Sequence, residues 1–220
     1  KIGILLGFTV ISALFTSAFS LEALHNNNIE LVYLLSIGGA ITGFILAMII
    51  YISRPKNPAP LMITYAIIEG VFIGAMSSVM EYFYQGIVIQ AILGTLAIFI
   101  SMYFLYVSKV LRPTPTFNKI VISLTMSIML LYVISMVISL VTPYQMPLLH
   151  SSSPMGIGLT VFILIVAALN LIMDFGFIER SVQNQTPKVG EWWGAFGMLV
   201  TLIWIYIEVL RLLMKLRSRN

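Results

Sequence analysis

Seven apolar runs of about 20 residues each divide this 220-residue chain, and they restrict its fold more than any other feature of the sequence. A helix needs about 20 consecutive, mostly apolar residues to cross the hydrocarbon core of a bilayer. The runs cover residues 2–21, 31–52, 61–80, 87–108, 120–142, 156–178 and 192–213. We therefore predict an all-α integral membrane protein with seven transmembrane helices, in a single domain that comprises residues 1–220.

The charge content of the chain supports a membrane protein and excludes several other classes. Only 9% of its residues are charged and 60% are hydrophobic, whereas a soluble domain carries roughly 25% charged residues. The net charge is +4, but the basic residues occur in short clusters between the apolar runs, which is typical of membrane orientation signals and not of nucleic-acid binding. The chain has no Cys, so disulfides, thiolate metal sites and cysteine catalysis are excluded.

The distribution of basic residues predicts how the chain is oriented. Lys and Arg occur in the connections after the second, fourth and sixth runs and are missing from those after the first, third and fifth. The positive-inside rule then places the N-terminus in the cytoplasm and, with seven spans, the C-terminus outside. The tail is nevertheless basic at Lys215, Arg217 and Arg219, so a re-entrant last segment is the alternative. We expect these tail bases, with membrane lipids as partners, to contact water and anionic headgroups.

Three of the eight acidic residues fall inside apolar runs, namely Glu69, Asp174 and Glu208. An ionised carboxylate at the middle of a bilayer costs at least about 2.5–3.5 kcal/mol, and such residues usually belong to ion or proton pathways. A protonated carboxyl group that hydrogen-bonds a neighbouring helix is the structural alternative.

The depth of each acid indicates which of them could meet. At 1.5 Å per residue, Asp174 lies about 6 Å and Glu69 about 12 Å from the cytoplasmic ends of their runs, and Glu208 lies about 24 Å from the cytoplasmic end of its run. Asp174 and Glu69 could therefore share a layer with Arg54.

A close pair of these carboxylates would act as a proton-dependent latch. The two groups would share one proton, and the protonated pair would hold two helices together, whereas the ionised pair would repel or bind a cation. Oxygen ligands suit a hard ion such as Ca²⁺. Protons and a hard cation such as Ca²⁺ are therefore the predicted ligands of such a pair, and no cofactor is expected.

Two short motifs stand out in the last two runs: Met173-Asp174-Phe175 and Tyr206-Ile207-Glu208, the second of which is followed by the basic tail. They resemble the transmembrane Bax inhibitor motif family. The stretches 60–78 and 191–213 resemble the bacterial branch of that family. The resemblance implies a central last helix surrounded by the other six, and a pH-sensitive leak channel or transporter for calcium in the bacterial plasma (inner) membrane.

The same resemblance implies roles for four residues of this chain. In the family's pattern an acid of the sixth helix pairs with an acid of the last helix, near an Arg at the end of the second, and Asp174, Glu208 and Arg54 match these positions. Two departures are a Glu where Asp is usual at the last acid, and a longer connection between the two helices. Glu69 is therefore an alternative or third partner of Asp174. These four are the predicted proton-gating and ion-pathway residues, and the resemblance makes Asp174 and Glu208 candidate ligands of Ca²⁺ as the transported ion.

Two other classes of function are weighed against a cation leak. The first is a non-transporting membrane protein that modulates a membrane protease or a stress response, since the resemblance to the bacterial branch also implies a protease partner. The second is an enzyme, which is not predicted. The histidines His25 and His150 fall in connections, and the sequence contains no His-Glu-x-x-His zinc motif. Asp174-Phe175-Gly176 lacks the Gly-x-Gly-Asp context of a membrane aspartyl protease.

Overall fold

The structure is a computed structural model that describes residues 1–141, 149 and 151–219, without the side chains of residues 136 and 140. Within these residues the chain forms seven α-helices and no strand. All seven are long and apolar enough to cross a membrane, which confirms the predicted all-α fold class. In chain order the helices are α1 Ile2–His25, α2 Ile29–Ser53, α3 Ala59–Phe83, α4 Ile87–Val107, α5 Pro115–Val141, α6 Pro154–Gln183 and α7 Val189–Arg217.

Several helices extend beyond the apolar runs that predicted them. Helix α6 continues to Gln183, five residues past the predicted end, and α7 begins at Val189 and ends at Arg217. Hydropathy marks where an apolar run stops, whereas a helix continues through polar residues until a cap or a breaker ends it. The connection between α6 and α7 therefore shortens to residues 184–188. Residue 142, the predicted end of the fifth span, and His150 lie outside the described residues.

A hydroxyl residue followed by proline begins both α5 and α6. Pro115 and Pro154 occupy the first helical position, where the missing N–H of proline costs no hydrogen bond. The side-chain oxygens of Thr114 and Ser153 each accept a hydrogen bond, at 3.2 Å, from the backbone N–H of the third helical residue. These N-caps satisfy a donor that the helix itself cannot pair, so local sequence determines where the two helices start.

The chain divides into two compact units, and the last helix contributes residues to both. The first unit comprises Lys1–Val88 and Ile178–Val200, and the second comprises Ile89–Phe177 and Thr201–Asn220. Half of the residues in the most apolar stretch of α7 are buried, the largest such share among the seven described helices. A central helix requires such burial, although its being surrounded by the other six stays a prediction.

Small residues let α1 and α3 pack closely within the first unit. Gly70 and Gly74 of α3 lie against the backbone of α1, and a Cβ added at Gly74 would collide with the carbonyl oxygen of Ala13. Across the same contact, the Ser12 hydroxyl donates a 2.8 Å hydrogen bond to the carbonyl oxygen of Ile67. Close backbone approach and interhelical hydrogen bonds of this kind stabilise helix pairs in membranes.

Large apolar side chains remain exposed on the outer faces of the helices. The exposed fraction reaches 79% for Phe15, 68% for Ile11 and 65% for Phe104. Soluble monomers rarely expose contiguous apolar patches of more than a few hundred Å². The exposed apolar faces are therefore suited to lipid, in agreement with the predicted membrane location.

Candidate functional site

Glu69 is a buried acid on α3 of the first unit. Its side chain is 7% exposed, and the hydroxyl of Tyr65, one turn earlier on the same helix, hydrogen-bonds to it. The carboxylate lies against Gly43 of α2, where an added Cβ would come within 2.5 Å of Glu69 Oε1. The absence of a side chain at Gly43 therefore provides the space that the carboxylate occupies.

Asp174 of α6 is bonded to the last helix within the second unit. The Thr201 hydroxyl donates a 2.6 Å hydrogen bond to Asp174 Oδ2, and Thr201 is buried. Next to Asp174, the ring of Phe175 packs edge-on against the rings of Phe99 and Tyr103, with centroids 5.6 and 5.7 Å away. Phe175 therefore packs α6 against α4, while Asp174 itself bonds to a neutral hydroxyl group of α7.

Glu208 of α7 is fully enclosed, with 1% of its surface exposed. The Tyr132 hydroxyl of α5 donates a 2.6 Å hydrogen bond to Glu208 Oε1. Arg211, three residues later on α7, forms an ion pair with the same oxygen at 3.1 Å. Burial of a carboxylate requires such partners, because an unpaired buried charge is strongly destabilising.

Lys215 is a buried residue of α7 and not part of a solvated tail. Its side chain is 1% exposed, and its ammonium donates hydrogen bonds to the carbonyl oxygen of Gly156 at 3.0 Å and to the Thr160 hydroxyl at 2.9 Å. The expectation that Lys215 contacts water and headgroups is therefore wrong. The expectation failed because α7 continues to Arg217. Lys215 is therefore still part of the helix, and its side chain packs against α6.

Three buried polar residues line up on one face of α7, which we call the polar face of α7: Thr201, Glu208 and Lys215. They are spaced seven residues apart, which is nearly two turns of 3.6 residues, so their side chains point in almost the same direction. Each one contacts a polar group on another helix of the second unit. The face extends about 21 Å along the helix axis.

The two acids of the second unit occupy different levels of the polar face of α7. Asp174 bonds to Thr201, which lies about 10 Å along α7 from Glu208. Among the described residues, Asp174 and Glu208 share no hydrogen bond. No three His, Cys, Asp or Glu side chains in the described part of the chain come together to hold a metal ion. A hard cation bound at either acid would therefore take most of its ligands from water, hydroxyl or carbonyl oxygens.

Comparison with known families fits this architecture of seven apolar helices and buried acids. Residues 1–218 match the family described as Bax inhibitor 1 like. The chain belongs to this family. The resemblance drawn from the motifs around Asp174 and Glu208 is thereby confirmed. No curated protein and no solved structure matches the chain.

Arg54, the fourth predicted site residue of this Bax inhibitor 1 like protein, lies at the end of α2. It caps that helix in the left-handed conformation with a φ of 41°, and its side chain is exposed. Arg54 and Glu69 belong to the first unit, whereas Asp174 and Glu208 belong to the second. The predicted proximity of Arg54 to Asp174 therefore stays a prediction.

Four members of this site were not predicted from the sequence: Thr201, Tyr132, Arg211 and Lys215. Lys215 was predicted only as an exposed base of the tail. Two signals were present in the sequence. Thr201, Glu208 and Lys215 recur at an interval of seven, which marks one helix face. Arg211 follows Glu208 by three residues, a spacing at which helix side chains meet. Tyr132 carried no signal, because a tyrosine is common in membrane helices and nothing local links it to α7.

Proposed function

We propose that this chain forms a pH-sensitive pathway for Ca²⁺, as a leak channel or transporter in which protonation of intramembrane carboxylates controls passage. The observation that carries the proposal is the polar face of α7, on which three buried polar residues bond successively to other helices. Buried polar and ionisable groups are costly in a membrane, and they usually mark ion or proton pathways.

The length of the polar region supports a pathway over an isolated structural contact. Along α6, the polar contacts begin at Asp174 and end at Gly156, which accepts from Lys215. Their separation of 18 positions corresponds to about 27 Å, close to the roughly 30 Å of a bilayer's hydrocarbon core. Within that length, the oxygen atoms of Asp174, Thr201 and Glu208 offer a proton or a partly hydrated cation successive binding positions, whereas the Lys215 ammonium repels a cation.

Asp174 is the strongest candidate for the gate. Its hydrogen bond to Thr201 involves a neutral group, so the acid can gain or lose a proton without breaking an ion pair. Ionised Asp174 attracts a cation, and protonated Asp174 does not. Glu69 has a neutral partner in Tyr65 and is the second candidate, whereas Arg211 already balances the charge of Glu208.

The test is Ca²⁺ flux into proteoliposomes over a pH series, for the wild type and for Asp174→Asn. We expect the wild type to pass Ca²⁺ in a pH-dependent way and Asp174→Asn to lose most of that dependence, because the variant cannot ionise. Glu30→Gln is the matched control, since Glu30 is an exposed acid in the first turn of α2 and its replacement leaves the flux unchanged.

The outcomes of this experiment separate the hypotheses. An Asp174→Asn variant with the wild-type pH profile would remove Asp174 from the gate, and Glu69→Gln and Glu208→Gln then identify which acid responds. A wild type that passes no Ca²⁺ at any pH would exclude transport. That result would favour the second function, a non-transporting membrane protein that modulates a membrane protease or a stress response.

We further propose that the protein resides in the bacterial plasma membrane with its N-terminus in the cytoplasm. The support is that Lys and Arg occur in the connections after α2, α4 and α6 or in their flanking turns, whereas the connections after α1, α3 and α5 contain none. Membrane lipids, Ca²⁺ and protons are its proposed partners, and calcium is a transported ion and not a resident cofactor.

A further inference from the structure

Arg211, Glu208 and Tyr132 form a closed triangle of hydrogen bonds. Arg211 Nη1 donates to the Tyr132 hydroxyl oxygen at 2.6 Å and to Glu208 Oε1 at 3.1 Å, and the Tyr132 hydroxyl donates to the same Glu208 oxygen at 2.6 Å. Nη1 also lies 3.4 Å from Glu208 Oε2. One guanidinium nitrogen therefore reaches both oxygens of the carboxylate, which is the position that an incoming cation would take.

The ring of Tyr132 adds a second restraint on the guanidinium. The central carbon of the Arg211 guanidinium lies 5.1 Å from the ring centroid, within the range of an attractive cation–π contact. Tyr132 therefore contacts Arg211 through both its hydroxyl group and its ring. This arrangement keeps the positive charge of Arg211 on the carboxylate of Glu208.

The two partners of the ion pair differ in their access to the surface. The side chain of Glu208 is 1% exposed, whereas that of Arg211 is 26% exposed. Arg211 can therefore swing away along its flexible stem, while Glu208 cannot leave its enclosed position. The next cation on the helix, Lys215, lies one turn further along α7 and is bonded to neutral groups.

We propose that the guanidinium of Arg211 is a resident cation at Glu208, so that Ca²⁺ binds there only after Arg211 has moved away. This inference rests on the proposed cation pathway. It assigns Arg211 as the residue that controls access of a cation to Glu208. Carboxylate and hydroxyl oxygens, as supplied by Glu208 and Tyr132, are the ligands that hard cations prefer. The Arg211 charge competes with any such cation for the same oxygens.

The test is a titration of the purified full chain with Tb³⁺, a hard cation that stands in for Ca²⁺ and whose emission is sensitised by a nearby tyrosine. We expect Arg211→Gln to bind Tb³⁺ about tenfold more tightly than the wild type, because the Arg211 charge no longer competes with Tb³⁺ for the oxygens of Glu208. The gain disappears in the double variant Arg211→Gln with Glu208→Gln. The Tb³⁺ luminescence of the double variant Arg211→Gln with Tyr132→Phe is lower than that of Arg211→Gln alone, because the tyrosine that sensitises the bound ion has been removed.

Arg219→Gln is the matched control, because it removes an exposed charge beyond the end of α7 and leaves the Tb³⁺ affinity unchanged. Equal affinities for Arg211→Gln and the wild type would overturn the proposal, as would a gain that persists without Glu208. If Arg211→Gln does not fold, Arg211→Lys replaces it. Lysine keeps the charge but lacks the planar fork that contacts Tyr132 and Glu208 together, so an intermediate affinity supports the proposal and an unchanged one contradicts it.

The titration also separates this inference from the proposed function. Tb³⁺ binding requires no transport, so a resident cation at Glu208 can be demonstrated even if wild-type liposomes pass no Ca²⁺. In liposomes that do pass Ca²⁺, Arg211→Gln raises the flux several-fold over the wild type at the same pH, and an unchanged flux would limit the role of Arg211 to binding.

Discussion

At the scale of single residues, the partly buried Arg211 and the buried Lys215 of α7 are balanced in different ways. Arg211 lies on the carboxylate of Glu208, whereas Lys215 donates to a carbonyl oxygen and a hydroxyl group. An ion pair offsets the loss of hydration better than neutral partners do. Lys215 is therefore the more costly of the two cations to bury, and its replacement is informative.

We expect Lys215→Met to keep or raise the thermal stability of the protein in detergent. Methionine has a similar length and needs no hydrogen bond, and the Thr160 hydroxyl still donates to the carbonyl oxygen of Gly156 at 3.0 Å. Thr160→Val, in contrast, removes a partner of the buried ammonium and costs about 1–3 kcal/mol. The measurement is a thermal unfolding curve for each variant.

The double variant completes this prediction for Lys215 and Thr160. With Lys215→Met already present, Thr160→Val is expected to cost little, because no buried charge remains to be satisfied, and the two changes are therefore not additive. Equal costs of Thr160→Val in both backgrounds would show that the hydroxyl group does not serve the ammonium.

The residues of the candidate site were predictable only in part. Glu69, Asp174 and Glu208 stand out because a carboxylate in hydrocarbon is costly whatever its surroundings. Thr201 does not, because a threonine hydroxyl can bond to the backbone of its own helix, and Tyr132 does not, because tyrosine is common in membrane proteins near the interfaces. Their role depends on which helix faces which, and that information is not local.

At the scale of helices, the contact between α1 and α3 depends on two glycines. A Cβ at Gly74 would collide with the carbonyl oxygen of Ala13 and come within 3.0 Å of the side chain of Thr16. We therefore expect Gly74→Ala to destabilise the protein by about 1–3 kcal/mol, since the helices must move apart to admit the methyl group. Thermal unfolding in detergent measures the change.

Gly7→Ala is the matched control for Gly74→Ala. Gly7 lies on α1, and a Cβ there meets nothing within 4 Å, so alanine gains about 0.5–1 kcal/mol of helix propensity without a clash. A Gly74→Ala protein as stable as Gly7→Ala would show that α1 and α3 tolerate a wider separation than the structure indicates.

Helix identity was easier to predict than helix length. Each of the seven runs predicts a helix, and each of the seven described helices is long and apolar enough to cross a membrane. The ends were less predictable, because α6 continues through Arg180 to Gln183 and α7 through Lys215 to Arg217. These extensions changed the site. With α6 ending at Gln183, Asp174 lies about 14 Å from the helix end instead of about 6 Å.

At the scale of the whole molecule, local composition determined the number of spans but not which faces meet. Each spanning helix satisfies its own backbone hydrogen bonds, so hydrocarbon can select it without reference to its neighbours. The pairings of Asp174 with Thr201 and of Glu208 with Tyr132 join residues 27 and 76 positions apart. Contacts over such distances depend on packing that no single run of sequence specifies.

The orientation of the molecule is the last prediction, and the cysteine-free sequence makes it directly testable. Single cysteines replace the exposed residues Asn26, Asn57 and Arg219, which follow α1, α2 and α7. With the N-terminus inside, a membrane-impermeant thiol reagent labels Asn26→Cys in intact cells and Asn57→Cys only after the membrane is opened. Seven complete spans also place Arg219→Cys outside. Protection of Arg219→Cys together with Asn57→Cys would instead require a re-entrant α7, and labelling of Asn57→Cys alone would reverse the orientation.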